Sequence, residues 1–566
     1  MSVLSDPIAM EVFSNRLLSI TEDMGNTLIR SSFSTNIKER KDCSVGLFAA
    51  DGRLVAQASH IPLHLGSLMG SVKAVLQKYP ASSMKEGDAF VCNDPFLAGG
   101  THTPDIAIVT PVFIEGKARF LAANVGHHSD IGGPTPGSIS GGAPTIFSEG
   151  LRIPVIRLAR EGEIDDDLLW MIAHNSREPE ERALDLKVQV ASNQRGVMLM
   201  QQLAERMGLE ATMAAVDDVL AYTARRLRNR IRDMQDGSSS FEAWLDDDGV
   251  GGDPIAIKAT VTVEGERLVV DFAGSAKQAR GAMNVAESAL RATVYYAVKA
   301  LLDPGLLPNQ GMADGIEIKA PPGSIVNPNF PAATGARSIT CNKVARALFG
   351  AFAGLLPPEK AMAASLDSVP VMIFSGERRR LDGTFVYLES MGGGIGARMQ
   401  GDGMDGVHVH VTNTSNLPAE ALENEYALLV DEYALVNGSG GAGTHRGGLG
   451  IARQIRATRD GVIFSARSDG HILGAPGLEG GLEGGKAHLI LDPGTNSAQE
   501  LSSKAANIVL KAGQSVRLET PGGGGYGKPQ GRDPKALARD IADGKLTRAE
   551  AERDYGPELV AKALAA

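Results

Sequence analysis

Only three cysteines, Cys43, Cys92 and Cys341, occur in 566 residues, and none forms a C-x-x-C pair. That excludes a disulfide framework and a cysteine-built zinc module, and it fits a reducing compartment. Aromatic residues make up 5% of the chain, too few for a base-stacking platform. Lys and Arg (56) are outnumbered by Asp and Glu (67), and the formal net charge of -11 argues against nucleic acid as a partner. No run of about 18 apolar residues occurs, so no membrane-spanning helix is expected. The opening MSVLSDPIAMEVFSNRLLSI has no basic segment followed by an apolar one, so no leader is read there. A cytoplasmic enzyme or enzyme subunit is the expectation.

Glycine is abundant. Its 67 copies cluster in stretches such as GSISGG, MGGGIGARMQGDGMDG, NGSGGAGTHRGGLG and TPGGGGYG. These alternate with patterned segments, so they read as tight turns and close backbone approaches. The length exceeds what one core usually fills, and two or three lobes are expected. Residues 6–31 carry helical periodicity, with Asp6 as N-cap, Pro7 at the first turn and Ile8, Val12, Leu17, Ile20 and Met24 as the apolar face. CSVGLFAADGRLVAQ reads as a hairpin with a type I′ turn at Asp51-Gly52. IAIKATVTVEGERLVVDFAGS reads as another, turning at Glu264-Gly265.

The resulting fold class is α+β, multi-lobed, with mixed sheets, a helical middle segment and glycine-rich turns. An N-terminal α+β lobe spans 1–160 and a helical segment 161–238. A β-rich α+β lobe spans 239–530 and a small helical tail 531–566; the tail either packs on a partner or stands solvated.

The informative stretch is GGTHTPDIAIVTPVFIEGKARFLAANVGHHSDIGG, residues 99–133, because it holds three of only 11 histidines. A two-residue Glu115-Gly116 turn would set Asp105 opposite Gly126 and Pro104 opposite His127, with His102 just beyond. Pro104 disfavours a helical Thr103, so His102-x-x-Asp105 reads as a loop entering a strand. Two imidazoles and a carboxylate converging there would leave open positions on a catalytic metal. Mixed N/O ligation suits Zn, Mn or Fe. His128 and Asp130 would orient the ligands or touch substrate. The same residues also read as strand-end caps satisfied by backbone carbonyls.

NDPFLAGGTHTPDIAIVTPVF followed by NVGHHSDIGG resembles the signature of the hydantoinase B/oxoprolinase family. IKERKDCSVGLFAADGRLVAQASHIPLHLGSL, VDFAGSAKQARGAMN, GGGIGARMQGDGMDGVHV, GSGGAGTHRGGLG and TPGGGGYG follow the family's order, so the similarity runs from about residue 6 to 527. The resemblance implies a hydantoinase B-like fold and the B-type subunit of an ATP-dependent hydrolase opening a cyclic amide (hydantoin, N-methylhydantoin, oxoproline or lactam). An A-type subunit with an actin-like kinase fold would use ATP and Mg to phosphorylate the carbonyl oxygen, in a heterotetramer or larger complex. An unstrained cyclic amide is a poor electrophile, and phosphorylation gives its oxygen a leaving group. The alternative is a subunit of an ATP-dependent ketone carboxylase of the acetone or acetophenone type. The resemblance assigns His102, Asp105 and His127 as ligands of a divalent metal. It makes Asp42 the water-activating base or a further ligand, and brings His64 to the site.

Other motifs are declined. GGGIGA at 392–397 precedes no helical pattern, and GGAGTHRGG lacks the Gly-Lys-Ser/Thr of a phosphate loop. Ser138 and Ser465 have no G-x-S-x-G context. His408 and His410 in VHVHV would share one face of a polar strand.

Overall fold

The computed structural model describes residues 6–58, 60–379 and 383–565, so the first five residues of the segment read for a leader lie outside them. Its first helix, α1 (Pro7–Ser31), begins where the sequence places it, with the Asp6 side chain accepting from the Ile8 N–H at 3.1 Å. The buried stripe is Phe13, Leu17, Ile20, Met24 and Leu28. At about 100° per residue these five fall within roughly 80° of one another, while Ile8 and Val12 lie roughly 120–160° away. Both are accordingly exposed, at 72% and 62%, which takes them off the helix's buried apolar face.

After α2 (Thr35–Lys38) comes a seven-stranded antiparallel sheet. Its strands are β1 (Cys43–Ala49), β2 (Leu54–Gln57), β3 (Ala89–Cys92), β4 (Asp105–Ile114), β5 (Lys117–His127), β6 (Ile156–Arg160) and β7 (Glu163–Ile164), in the order β2-β1-β5-β4-β3-β6-β7. One face packs on α3 (His64–Lys78); the other packs on α5 (Pro179–Met207), which follows α4 (Asp166–Ala173) and precedes α6 (Leu209–Arg232). Strand alternation divides the central pair cleanly. Ala107, Val109, Ala123 and Val125 join the core around Leu68 and Val72 of α3. Ile106 and Ile108 join the core around Leu186 of α5. The β1–β2 connection is not type I′: only Gly52 is left-handed (φ 93°), after a turn in which the Gly52 N–H donates to the Ala49 carbonyl.

The β4–β5 turn does have type I′ character, with φ of 52° at Glu115 and 72° at Gly116. Ile114 pairs with Lys117 and Phe113 with Ala118, but Val112 pairs with Phe120. Arg119 is therefore an extra residue, a β-bulge. From there to the open end the register is shifted by one, so Asp105 faces His127 rather than Gly126.

The largest core is continuous from α3 and β4 into α7 (Glu287–Leu302), α8 (Gln310–Ala313) and α9 (Arg337–Ala353). It also takes in the four-stranded sheet built from Gly237–Leu245, Ile255–Glu264, Arg267–Asp271 and Ile316–Lys319. There Glu264 pairs with Arg267, which moves the turn to Gly265-Glu266. A second four-stranded sheet orders Thr384–Ser390, Val371–Glu377, Val462–Arg467 and Ile508–Leu510, and a five-stranded sheet follows it. The segment 407–411 is not a strand: it makes one bridge, Val407 to Gly393, and His410 sits at φ 53°. The helices Pro534–Ala542, Arg548–Tyr555 and Pro557–Ala565 share a small core with Ala442, and Arg532 joins them to Asp402 and Asp540.

The glycine clusters interlock through backbone hydrogen bonds. Gly394 N–H donates to the Pro521 carbonyl (3.0 Å), Gly448 N–H to Ile395 (2.8 Å) and Gly523 N–H to Gly448 (2.9 Å). A Cβ on Gly394 would collide with the backbone of Gly448 and Gly523 together, whereas one on Gly401 meets nothing within 4 Å. Gly394→Ala is expected to destabilise by about 3 kcal/mol or more, and Gly401→Ala by less than about 1 kcal/mol. Urea unfolding of the two variants checks this.

Candidate metal centre

The bulge decides which side chains meet. Residues directly opposite in an antiparallel pair share a face, and a one-residue slip turns a side chain to the other face. With Arg119 inserted, Asp105 and His127 both project toward α3, where His64 stands in the first turn. His102, in the turn entering β4, completes the group. One ligand-capable atom from each of His102, Asp105 and His127 lies within 4.8 Å of the others.

Each side chain is held from behind. His102 Nδ1 is 3.2 Å from the Gly335 carbonyl, which accepts its proton and leaves Nε2, 3.0 Å from Asp105 Oδ1, to face the centre. Asp105 Oδ2 accepts from Arg337 Nη2 (2.7 Å) and from Thr101 Oγ1. Arg40 Nη1 donates to Asn36 Oδ1 (2.8 Å), which turns the Asn36 NH2 toward His127 Nδ1 at 3.2 Å. His127 Nε2 then carries the ring proton, and a bound cation would take Nδ1 or release that proton.

Asp42 and His64 complete the cluster. The Asp42 carbonyl accepts from the His127 N–H (2.9 Å), and His64 Nε2 lies 3.7 Å from both Asp42 Oδ1 and Asp105 Oδ1. His64 Nδ1 is 3.2 Å from Ser44 Oγ.

Burial sets the protonation states, with neighbouring charges modifying them. It pushes His102 down to about 4 and His127 well below the ordinary range, and the Arg337 charge adds to both shifts. Both imidazoles are therefore neutral, the form a metal requires. Burial also favours the neutral acid at Asp105, but the Arg337 guanidinium on Oδ2 acts against it, and the carboxyl lies well below its usual range. At Asp42 burial prevails over His64 and Arg40, and its carboxyl is raised. Two neutral imidazoles and an ionised carboxylate within reach of one another fit a divalent cation of the Zn, Mn or Fe class.

His128 and Asp130 lie elsewhere. One position past His127, His128 turns to the α5 face, where Nδ1 accepts from Arg182 (2.7 Å) and Nε2 meets Gln189 Oε1 (3.0 Å). Asp130 accepts from the N–H groups of Gly132, Gly137 and Arg177 and from the Arg177 guanidinium, organising the loop after β5. His410 pairs with Asp367 (2.8 Å).

The family model described as hydantoinase B/oxoprolinase matches residues 6–529. The chain belongs to the hydantoinase B/oxoprolinase family. A putative D-/L-hydantoinase B-type subunit from Pseudomonas sp. (strain NS671) is 32% identical over 97% of this chain and 95% of its own. The ATP-dependent caprolactamase from Pseudomonas jessenii superposes with a TM-score of 0.89 at 25% identity, over 98% of this chain and 96% of that one. A nucleotide-free acetone carboxylase shares the fold, with a TM-score of 0.88 at 19% identity, covering 99% of this chain and 82% of that one. The chain spans 42% of the length of the 5-oxoprolinases it matches at 34% identity over 93% of its own residues.

In this hydantoinase B/oxoprolinase member, sequence reading missed the residues that hold the centre from a distance: Arg337, Arg467 and Glu149. The buried Glu149 carboxylate accepts from the N–H groups of Thr334 (2.8 Å) and Gly335 (2.6 Å), fixing the carbonyl that orients His102. Burial pushes Glu149 up to about 7 from 4.5. The folded chain thus keeps a proton, between those values, that the unfolded chain releases, so stability falls as pH rises through that window. Glu149→Gln is expected to remove a loss on the order of 2–3 kcal/mol between about pH 5 and pH 8. Urea midpoints of both proteins at the two pH values measure it, and parallel slopes would contradict it.

Proposed function

We propose that this chain is the metal-holding B-type subunit of an ATP-dependent hydrolase that opens a cyclic amide: a hydantoin, an oxoproline or a lactam. Its partner is an A-type kinase subunit that phosphorylates the carbonyl oxygen, in a cytoplasmic complex that is a heterotetramer or larger. The observation that carries this reading is the meeting of His102, Asp105 and His127 beside the Asp42 carboxylate. Family membership and the likeness to a caprolactamase support the reaction class.

His102, Asp105 and His127 would hold the cation. When bound, a divalent cation supplies an acidified water and polarises a carbonyl or phosphoryl oxygen. Asp42 takes the proton of the attacking water at its carboxylate, and its raised pKa brings it closer to the operating pH of a general base. Asp42 is 8% exposed and His127 6%, whereas His102 and Asp105 are fully buried, so approach is from the Asp42–His127 side. His64 bridges the two carboxylates and keeps them apart. Arg337 fixes Asp105 so that only Oδ1 faces inward.

The test is ATP-dependent opening of hydantoin, 5-oxoproline and caprolactam by the chain assembled with its A-type subunit. His127→Ala is expected to lose at least about 100-fold in turnover together with the bound metal. Asp42→Asn is expected to lose a comparable factor with the metal retained. Unchanged turnover and metal content in His127→Ala would refute the reading. Incorporation of labelled bicarbonate into product would assign the carboxylase reaction instead.

A further inference from the structure

The sheet that ends in Arg467 reaches across to the metal centre and brings a cation there that the ligand set does not use. Val371 pairs with Arg467 on one side and with Ser390 on the other. Directly opposed residues share a face, so Arg467 and Ser390 project together, about 10 Å apart across two strand spacings. Each grips one flank of the centre. Ser390 Oγ accepts from Arg40 Nη2 (2.9 Å), and Arg40 continues through Asn36 to His127. Arg467 Nη1 donates to the Gly335 carbonyl (3.1 Å), the same oxygen that holds His102.

Charged groups crowd the centre. The guanidiniums of Arg40, Arg337 and Arg467 stand near the carboxyls of Asp42 and Asp105, with the buried Glu149 carboxyl behind Gly335. Arg337 is committed to Asp105 at 2.7 Å, and Arg40 stands 3.9 Å from Asp42. Among the described residues Arg467 has no carboxylate within 4.0 Å.

Hydrogen-bond donors are also in excess. Nε of Arg467 and Nε of Arg40 are buried without a partner, as are both nitrogens of the neutral His408 ring, one a donor and one an acceptor, within reach of the Arg40 charge. Buried donors are costly to leave unmatched, and an anion with several acceptor oxygens would satisfy more than one of them. Arg467 is 4% exposed and so keeps a little surface, like Asp42 and His127.

We propose that Arg467, backed by Arg40 and His408, is the anion-binding residue that receives the phosphoryl group of the activated substrate beside the metal ligands. A phosphoryl group presents a dianion and three acceptor oxygens to the planar guanidinium fork. This assignment rests on the reading that the substrate arrives phosphorylated.

Calorimetric titration of the full chain, stripped of metal with chelator, with inorganic phosphate tests it without recourse to turnover. The unmodified chain is expected to bind phosphate. Arg467→Gln should bind it at least tenfold more weakly and Arg467→Lys two- to fivefold more weakly, and both should take up metal normally. Equal affinity in the unmodified chain and Arg467→Gln, or no binding by the unmodified chain, would overturn the assignment. So would joint loss of phosphate and metal in Arg467→Gln, which would reduce Arg467 to a support for Gly335. Tighter binding of bicarbonate than of phosphate would overturn the phosphoryl choice. If phosphate binds as expected while no cyclic amide is opened with the A-type subunit, the hydrolase reading fails and the anion site stands.

Discussion

The pairing of Asp105 with His127 is the contact on which the rest of the centre depends. It exists because one residue, Arg119, is bulged out of β5. Without that shift, His127 would point to the α5 face, into the space now filled by Gln189 and Arg182 around His128. Asp105 would be left facing α3 with no imidazole across from it. A turn that satisfies its own backbone preferences at Glu115 and Gly116 does not by itself deliver the site. The bulge re-aims the distal half of the strand, the use to which bulges near functional sites are commonly put.

Holding an ionised carboxylate at full burial needs compensation, and the chain draws it from distant parts of the fold. Arg337 comes from the start of α9, the Gly335 carbonyl from the turn before it, and Glu149 from the loop after β5. A buried guanidinium–carboxylate pair adds little net stability, and its worth lies in fixing geometry. Here it locks Oδ2 of Asp105, keeps the carboxylate ionised and leaves Oδ1 for the centre. Neutral imidazoles follow from the same burial and from the same cation. The C-terminal lobe closes the arrangement with Arg467 and Ser390 on the end row of its sheet, so a site built on an N-terminal hairpin is completed from residues more than 260 positions away.

Local patterns made much of this visible in advance. Asp6 and Pro7 marked the start of α1, and apolar, β-branched runs about a Glu115-Gly116 turn marked the β4–β5 pair. The crowding of three of 11 histidines into one hairpin marked the centre. The exact register was not legible, because no residue type signals a bulge at Arg119, and the turn rule alone predicts a pairing one residue off. His128 and Asp130 looked like neighbours of the centre because sequence proximity hides the alternation that sends His128 to the far face. Arg337 and Arg467 were invisible for another reason. Their partners lie 232 and 132 residues away, and nothing in ARSIT or FSARSDG distinguishes them from surface arginines. The run VHVHV misled because its alternation mimics a strand, whereas the segment makes one bridge, Val407 to Gly393, and turns at His410, with φ 53°.

The central claim is that His102, Asp105 and His127 form one metal position. Anomalous X-ray diffraction from crystals of the chain, recorded on either side of the Zn, Mn and Fe absorption edges, tests it most directly. One strong peak is expected at about 2.0–2.2 Å from a ring nitrogen of His102, a ring nitrogen of His127 and a carboxylate oxygen of Asp105. A metal-loaded crystal with its peak elsewhere, or with none within bonding distance of all three, would contradict it.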